Sequence, residues 1–224
     1  MNIQTSEKSI LLASASPRRR KLLALGGQPY RSMAADVDER PHNGEPAGEY
    51  TRRVAESKAR RIAEQAEPGE LVIAADTTVV LDGRILGKPQ DHEEAVQMLE
   101  ELRDRSHEVI TSLAIMEAGS DEITCDQSHT QVPMRAYDEA EMKAYIDSGD
   151  PFDKAGGYAI QHAGFNPVEE LAGCYANVVG LPLCHLKRSL EKLGLTLDED
   201  LPDKCQQNFE YECPVYERVL KGEL

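Results

Sequence analysis

The first third of the chain alternates short apolar runs with polar or amphipathic stretches, which predicts strands alternating with helices. Residues 9–14 form an apolar run that predicts a strand, and a helix is predicted directly after it over 17–25. Ser16 is a favourable N-cap residue, and Pro17 stands at the first helical position, where its missing N–H group costs nothing. A second strand is predicted over 30–36.

A long helix and the most apolar segment of the chain are predicted next. Residues 49–66 place alanine, valine and isoleucine on one helical face and arginine and lysine on the other. Residues 71–75 are continuously apolar without alternation, which is typical of a strand buried on both faces. Asp82-Gly83 is a strong hairpin signal between residues 79–81 and 84–86.

The rest of the chain predicts further helices and a pair of long strands around an irregular, glycine-rich segment at 153–161. Asp138 begins a capping box with Glu141 three residues later. Helices are predicted over 91–103, over 138–148 and up to 193, and strands over 107–117 and 122–135. The whole pattern predicts an α/β fold with a mixed β-sheet flanked by helices.

A change of composition near residue 197 divides the chain into two predicted regions. The 224 residues suit one domain with a full core plus an appendage. We therefore predict one domain over 1–196 and an acidic C-terminal tail over 197–224, which carries Cys205 and Cys213. These two thiols could pair or bind a metal, but their spacing matches no common ligand pattern, which favours free thiols.

Charge and composition restrict the class of partner. Forty acidic and 25 basic residues give a formal net charge of −15, which argues against binding DNA or RNA along its backbone. The absence of Trp and the presence of only three Phe argue against stacking on single strands. No apolar run is long enough to span a membrane, and five cysteines without a CxxC motif favour reduced thiols. We therefore expect a cytoplasmic protein with neither a membrane nor a nucleic-acid partner.

Four consecutive cations follow the first predicted strand in a chain that is otherwise acidic. The free N–H groups of the first helical turn, the positive end of the helix dipole and the neighbouring arginines form an anion site there. Helical geometry cannot aim four consecutive side chains at one place, so Arg18 and Arg19, in the first turn, are the expected ligands. We expect this turn to hold the phosphates of a nucleotide, and a solvated run of charges is the alternative.

Carboxylates at the ends of two predicted strands are the candidate groups for acid–base chemistry and metal binding. Asp76 ends the apolar run, where a charge is costly unless the strand opens on a cleft. Asp38 and Glu39 follow the second strand, and ligands of open α/β sheets bind at such strand ends. Several carboxylates near a phosphate site suit an octahedral Mg²⁺ or Mn²⁺. For Asp76 alone, a turn-forming or helix-capping role is the alternative.

Three further polar residues carry weaker individual signals. Lys88 lies in a tight Gly-Lys-Pro turn, and a solvated loop explains it as well as a phosphate contact does. Lys58 lies on the predicted long helix, where a surface position is the stronger interpretation. Gln161 follows a glycine-rich turn, and taken alone it is a surface polar residue.

Taken together, these residues belong to a series of motifs that resembles the Maf family of nucleoside triphosphate pyrophosphatases. In order over residues 9–194, the motifs are Ser14-x-Ser16-Pro17-Arg18-Arg19, Asp38-Glu39, Arg53-x4-Lys58-Ala59, Ala75-Asp76-Thr77, Gly87-Lys88-Pro89, Asp153-Lys154-Ala155-Gly156-x-Tyr158-x-Ile160-Gln161 and Asn177-Val178-Val179-Gly180-Leu181-Pro182-Leu183. The resemblance implies an elongated mixed α/β fold, related to inosine triphosphate pyrophosphatases, with two lobes around a cleft. It also implies hydrolysis of a nucleoside triphosphate to the monophosphate and pyrophosphate with a divalent cation, and it is consistent with a homodimer.

The resemblance also implies roles for individual residues. Asp76 falls at the position of the family's proposed proton acceptor, and Glu39 falls where the metal would be bound, with Asp76 as a second ligand. The residues implied to bind substrate are Ser14, Arg18, Arg19, Lys58, Thr77, Lys88 and Gln161. Among these, Arg18, Thr77 and Gln161 match the branch of the family that acts on dTTP and UTP. Gln161 can both donate and accept, which suits the O4 and N3–H groups of thymine or uracil.

Two other classes of protein remain open at this point. A nucleotidyltransferase is suggested by the phosphate turn and by Asp36-x-Asp38, and it would transfer a nucleotide to a second substrate. A non-catalytic nucleotide-binding regulator of cell division would bind triphosphates without turnover. A P-loop kinase or ATPase is not supported, because the pattern Gly-x4-Gly-Lys-Ser/Thr does not occur.

Overall fold

A mixed β-sheet of six strands forms the centre of the molecule, whose computed structural model describes residues 8–224. The strands are β1 (Ile10–Ala13), β2 (Tyr30–Met33), β3 (Leu71–Leu81), β4 (Arg84–Leu86), β5 (Ser106–Glu117) and β6 (Ile123–Pro133). Their order is β2-β1-β3-β5-β6, and β4 pairs with β3. The pairs β1–β2 and β1–β3 are parallel, whereas β3–β4, β3–β5 and β5–β6 are antiparallel.

Helices cover both faces of this sheet and extend beyond it. They are α1 (Pro17–Ala24), α2 (Ala47–Ala63), α3 (His92–Leu102), α4 (Glu139–Asp147), α5 (Tyr175–Val179), α6 (Leu183–Lys192), α7 (Leu201–Phe209) and α8 (Tyr216–Leu220). The predicted capping box of α4 is confirmed, with Asp138 accepting from the Glu141 N–H group and Glu141 accepting from that of Asp138. The glycine-rich segment forms two short 3-10 turns, Asp150–Asp153 and Ala155–Gly157. The predicted mixed α/β sheet flanked by helices is confirmed.

Alternation along the central strands separates two apolar layers. Ile10 and Leu12 of β1 face a cluster that includes leucines of α1, α6 and α7, whereas Leu11 and Ala13 face α2. Burial of such side chains contributes roughly 1.5–3 kcal/mol each. β3 is buried along almost all of its length, as the apolar run over 71–75 predicts for its first part. The prediction that Asp76 ends this strand is wrong, because β5 pairs with β3 up to Val80 and carries it through Asp76 to Leu81.

A third apolar cluster forms the second lobe of the molecule. It joins the distal part of β3, from Val79, to β4, α3, α4 and the glycine-rich segment. Tyr137, Tyr145 and Phe165 pack together in it, with the rings of Tyr145 and Phe165 stacked 4.4 Å apart. The two apolar layers around β1 thus form the first lobe, the third cluster forms the second lobe, and β3 runs through both.

The second strand is shorter than predicted. β2 ends at Met33, which pairs with Ala13, the last residue of β1. Because β1 offers no backbone beyond Ala13, residues 34–36 have no strand to pair with, and the prediction of a strand up to residue 36 is wrong. Asp38 and Glu39 therefore lie in a loop several residues beyond the strand.

The region after residue 196, predicted as an acidic tail, carries α7 and α8, which the sequence pattern did not predict. Leu197 and Leu201 are buried in the same cluster as Leu186 and Leu190 of α6. Within residues 8–224, none of the helices combines the length and the apolar character needed to cross a bilayer.

Candidate active site

Along one side of the central strand β3, the pairing with neighbouring strands is interrupted near the middle of the strand. On that side it pairs with β1 through residues 71–73 and with β4 through residues 79–81, whereas β5 pairs with it along the other side. In the part of the chain that the structure describes, residues 74–78 therefore have a strand partner on one side only. A cleft of about 830 Å³ opens at this gap, between the two lobes.

The residues to which the family resemblance assigns a role all line this one cleft. They are Ser14, Arg18, Arg19, Glu39, Lys58, Asp76, Thr77, Lys88 and Gln161. They come from the β1–α1 turn, the first turn of α1, the loop after β2, helix α2, strand β3, the turn after β4 and the glycine-rich segment. Position in the cleft does not test their individual roles, which stay predictions.

A lysine joins the two candidate metal-binding carboxylates on the floor of the cleft. Lys58 Nζ lies 2.8 Å from Asp76 Oδ1 and 2.7 Å from Glu39 Oε1. The side chains of Lys58 and Asp76 are only 9% and 8% exposed, so the interpretation of Lys58 as a surface residue is wrong. It shares the inward face of α2 with Ala55 and Ile62, three and four positions away, and this face packs on the sheet.

The second oxygen of Asp76 has no hydrogen-bond partner. Asp76 Oδ2 is buried, and it is one of five buried side-chain atoms of this kind in residues 8–224. Buried polar atoms in proteins are rarely left unpaired, and an exception calls for a functional or solvent explanation. Asp76 therefore has one oxygen held by Lys58 and one oxygen available to a bound water, a substrate proton or a cation.

The charge of Glu39 depends on its cationic neighbours. Partial burial raises the pKa of its carboxyl, but the attraction of Lys58, with smaller contributions from Lys88 and Arg19, outweighs burial and leaves the pKa below its ordinary value. Glu39 is therefore ionised at neutral pH. Its side chain is 45% exposed, so it is accessible from the cleft.

Arg19 is held rigidly at the inner end of the phosphate turn. Its Nε atom donates to the Gly180 carbonyl at 2.8 Å, and its second amino group donates to Thr77 Oγ1 at 3.0 Å. Burial lowers the pKa of Arg19, and the nearby Asp76 carboxylate opposes that shift. An arginine starts from so high a pKa that it stays charged. A fixed positive charge therefore lies beside the strand that carries Asp76.

The turn that precedes α1 has the predicted capping geometry. Ser16 Oγ accepts from the Arg19 N–H group at 3.4 Å, and Ser14 Oγ accepts from the Ser16 N–H group at 3.1 Å. Arg18 reaches across the cleft, where it donates to Asp153 Oδ2 at 3.2 Å. The two lobes are thus linked at the phosphate turn by an exposed ion pair, which stabilises weakly.

Lys88 and Gln161 lie on the second lobe. Both are exposed, and both line the cleft. The turn that carries Lys88 contacts the glycine-rich segment, because the Gly156 N–H group donates to the Gly87 carbonyl at 2.9 Å. This places the two loops that would meet the phosphates and the base side by side.

Two residues of the site have no predicted role. Thr111 Oγ1 lies 2.9 Å from Thr77 Oγ1 and donates to the Asn177 carbonyl at 3.0 Å, so it holds Thr77 in the position where Arg19 binds it. Thr111 has no sequence signal, because it lies within a long strand whose pattern shows only burial. Gly180 belongs to a motif that was recognised, but its carbonyl contact with Arg19 appears only in three dimensions.

The carboxylates fit a hard divalent cation only together with other ligands. Glu39 and Asp76 supply the oxygen atoms that Mg²⁺ or Mn²⁺ prefers, and Asp76 Oδ2 is unpartnered. Asp38 is not part of this group, because it does not line the cleft and instead accepts from Arg40 at 2.9 and 2.6 Å. Among residues 8–224, no group of three or more His, Cys, Asp and Glu side chains is arranged to hold a metal ion. Substrate phosphates and water would have to complete the coordination.

A capped helix N-terminus, a partly buried arginine and a lysine–carboxylate cluster in one cleft are typical of a site for phosphorylated small molecules. The chain belongs to the Maf family, because the family model described as Maf-like protein matches residues 9–193. It is 46% identical to the dTTP/UTP pyrophosphatase of Pelotomaculum thermopropionicum, over 84% of this chain and 97% of that protein. It is 48% identical to the dTTP/UTP pyrophosphatase of Myxococcus xanthus, over 84% of this chain and 94% of that protein.

One solved structure aligns along nearly the whole chain. The Ham1 protein of Staphylococcus aureus is 17% identical over 97% of this chain and 100% of that chain, with a TM-score of 0.44.

Proposed function

We propose that this protein hydrolyses dTTP and UTP, or modified pyrimidine nucleoside triphosphates, to the monophosphate and pyrophosphate. The observation that carries the proposal is the convergence of a buried carboxylate, with one unpartnered oxygen, and a phosphate-binding turn in one cleft. Membership of the Maf family and the names of the relatives support the same reaction.

The first lobe would bind the triphosphate through the β1–α1 turn. The first-turn N–H groups of α1 and the partly buried Arg18 and Arg19 present positive charge to the same part of the cleft. Lys88 approaches from the second lobe. Such preorganised charge stabilises the negative charge that develops on the leaving pyrophosphate without any reorganisation during the reaction.

Asp76 would act as the base for the attacking water. The oxygen of the water attacks the α-phosphorus while a proton of the water passes to the Asp76 carboxylate. The bond between the α-phosphorus and the oxygen of the leaving pyrophosphate breaks. Lys58 fixes Oδ1 by a hydrogen bond of 2.8 Å, which leaves Oδ2 to receive the proton. A positioned general base of this kind accelerates a reaction by about 10²–10⁴-fold.

A divalent cation, Mg²⁺ or Mn²⁺, is part of the proposal, with Glu39 and Asp76 as its protein ligands. Such an ion, when bound, neutralises charge on the phosphates and on the attacking oxygen. The pKa of Glu39 is below its ordinary value, so this ligand needs no deprotonation at neutral pH.

Base selection is assigned to Gln161. Its exposed amide lies on the second lobe, next to the phosphate-binding turns, and it can match the O4 and N3–H groups of thymine or uracil. Thr77 contributes differently, because its hydroxyl contacts both Arg19 and Thr111. It would act by positioning Arg19.

The test is product analysis with a panel of nucleoside triphosphates, with Mg²⁺ or Mn²⁺ added in separate reactions. We expect dTTP and UTP to be converted to monophosphate and pyrophosphate, and purine triphosphates to react far more slowly. Transfer to a second substrate would indicate a nucleotidyltransferase. Binding without turnover would indicate a non-catalytic nucleotide-binding regulator, and either outcome would overturn the proposal.

We also propose that the protein is a homodimer, on the family resemblance, and that it is cytoplasmic, on the character of its sequence. Light scattering coupled to size-exclusion chromatography measures the mass in solution, and cell fractionation measures the location. A monomer mass across the concentration range would contradict the dimer.

A further inference from the structure

Four of the five cysteines gather at one small apolar pocket away from the cleft. Cys174 and Cys184 come from the loop before α5 and from α6, whereas Cys205 and Cys213 come from the C-terminal region of α7 and α8. The fifth, Cys125, lies elsewhere and donates to Glu56 at 3.1 Å. The family match ends at residue 193, so two of these thiols lie beyond it and meet two that lie within it.

Cys174 and Cys213 both line this pocket. Cys213 Sγ lies 4.0 Å from the carbonyl oxygen of Gly173, the residue that precedes Cys174. Cys174 is almost fully buried, whereas Cys213 is partly exposed. The pair therefore combines a protected thiol with one that solvent can reach.

Further contacts hold the loop before α5, which carries Cys174, against the segment after α7, which carries Cys213. The Cys213 N–H group donates to Gln206 Oε1 at 2.9 Å. The hydroxyl of Tyr211 accepts from the Gly173 N–H group at 3.2 Å and lies 2.8 Å from the Gly173 carbonyl. The rings of Tyr175 and Phe209 stack at 4.4 Å. Contacts on both sides of the pair thus fix Cys213 next to Cys174.

The surroundings of the two thiols also shift their pKa values in opposite directions. The neighbouring Cys174 thiol lowers the pKa of Cys213 to about 6; burial opposes this effect, and the backbone N–H groups of Val215 and Tyr216 assist it. The neighbouring Cys213 thiol and burial both raise the pKa of Cys174. A thiolate is the reactive nucleophile of cysteine, so at neutral pH Cys213 is the first sulfur to react.

We propose that Cys174 and Cys213 form a redox-active pair that closes to a disulfide on exposure to a peroxide. The Cys213 thiolate attacks one peroxide oxygen, the O–O bond breaks, and Cys213 becomes a sulfenic acid while water leaves after protonation. The Cys174 sulfur then attacks the sulfur of Cys213, a second water leaves, and the S–S bond forms. Two thiols are oxidised and one hydrogen peroxide is reduced to two waters.

The arrangement favours thiol chemistry over metal binding. Although four cysteines line the pocket, no group of three or more potential ligands in residues 8–224 is arranged to hold a metal ion. The consequence of oxidation is structural, because the new bond would tie the C-terminal helices covalently to the loop that precedes α5. Thiol reductants would reverse it.

The test uses the full-length, reduced protein treated with an equimolar amount of hydrogen peroxide, after which free thiols are alkylated. Intact-mass spectrometry should show three alkylated cysteines where the untreated protein shows five. Peptide mapping should identify one cross-link, Cys174 to Cys213, which disappears after reduction.

Three serine variants make the result specific. Cys213→Ser should abolish the cross-link, whereas Cys205→Ser, in the same pocket, and Cys125→Ser, outside it, should retain it. Circular dichroism and nucleotide hydrolysis check that each variant is folded. A treated wild-type protein that keeps five thiols, stops at sulfinic acid on Cys213, or links Cys213 to another cysteine would overturn the proposal.

Discussion

A lysine placed between two carboxylates determines the charge of the cleft floor. Lys58 compensates the buried charge of Asp76 and part of the charge of Glu39, so this group keeps one negative charge in excess. An unpaired charge at the depth of Asp76 would cost several kcal/mol. The pair with Lys58 allows the Asp76 carboxylate to lie in the cleft floor, away from bulk solvent.

Replacing the proposed base should separate chemistry from folding. Asp76→Asn keeps the size of the side chain and removes the proton acceptor, so we expect turnover to fall by about 10²-fold or more. Steady-state kinetics with dTTP, together with circular dichroism, measures both properties. Asp121→Asn, at an exposed position outside the cleft, is the control and should be unchanged. Near wild-type turnover in Asp76→Asn would remove Asp76 from the chemical step.

Removing Lys58 should destabilise the protein in a pH-dependent manner. Lys58→Met leaves Asp76 buried without its cation, and we expect a loss of about 3 kcal/mol in the free energy of unfolding at neutral pH. The pKa of Glu39 is lowered in the folded wild type, so its contribution is present above its unfolded pKa near 4.5 and is lost as pH falls through the folded value.

The difference between wild type and Lys58→Met should therefore shrink below about pH 4.5, which urea unfolding at several pH values measures. Lys143→Met, at an exposed position on α4, is the control and should cost little at any pH. A difference that stays constant with pH would contradict the assigned ion pairs.

Residues of the site could be predicted from the sequence where they belong to a motif. They were harder to predict where their place in the site depends on being buried in the fold. Asp76 ends an apolar run, so its unusual position is visible in the sequence. Lys58 is not visible in the same way, because a lysine on a helix is normally solvated. Its burial follows from the packing of α2 on β3, which no local pattern contains.

At the scale of elements, the short helix α5 places the Gly180 carbonyl where Arg19, in the first turn of α1, donates to it. It ends at Gly180, whose φ of 116° lies in the left-handed region and whose carbonyl accepts from Arg19. A Cβ atom at Gly180 would lie 3.2 Å from Thr77 Oγ1 and 3.5 Å from Arg19 Nε. The glycine is thus required both by the backbone and by its neighbours.

Gly180→Ala should therefore weaken substrate binding as well as stability. The left-handed backbone should cost about 1 kcal/mol, and displacement of Arg19 should raise KM for dTTP several-fold. Gly69→Ala is a matched control, because Gly69 has a φ of 89° but a Cβ atom added there would have no neighbour within 4 Å. We expect similar unfolding free energies for the two variants and a raised KM in Gly180→Ala only. Equal KM values would show that Arg19 does not depend on this contact.

Strong local signals predicted some elements well. The hairpin at Asp82-Gly83 and the capped helix α4 correspond to the predicted segments, because each depends on a contiguous pattern. The predicted strand over 71–75 is only the first part of β3, because pairing with β5 carries the strand on through Asp76 to Leu81. The end of β2 was wrong, because it depends on where β1 ends. Helix α5, with five residues, is too short to show periodicity.

At the scale of the whole molecule, the C-terminal region contributes to the main core. Leu201 of α7 is fully buried in the cluster that also holds residues of β1, β3 and α6, whereas the terminal Leu224 is 47% exposed. The region is acidic, as its composition indicates, but its apolar residues pack inward.

Truncating Leu201 should destabilise the entire protein. Leu201→Ala removes a fully buried side chain, and we expect a loss of about 3 kcal/mol in the free energy of unfolding. Leu224→Ala removes the same atoms at an exposed position and should change stability by less than about 0.5 kcal/mol. Urea unfolding followed by circular dichroism compares the two. Equal stability of both variants would show that α7 is a detachable tail.

The relation between the lobes could not be predicted from local patterns. The parallel pairing of β1 with β3 joins residues about sixty positions apart, and the antiparallel pairing with β4 begins only at Val79. The interval between these pairings is the cleft, so its existence depends on two non-local registers. The sequence therefore indicated many of the residues that line the cleft but not why a cleft is there.

The unpaired interval of β3 also bears on aggregation. An open strand edge offers N–H and C=O groups to an extended segment of another chain. Here the interval covers only residues 74–78, and β1 and β4 close both of its ends, so a longer strand would collide with them. The cations and carboxylates around it further disfavour an apolar intruder. The molecule thus keeps a stretch of sheet edge open to a small ligand while excluding the strand addition that leads to fibrils.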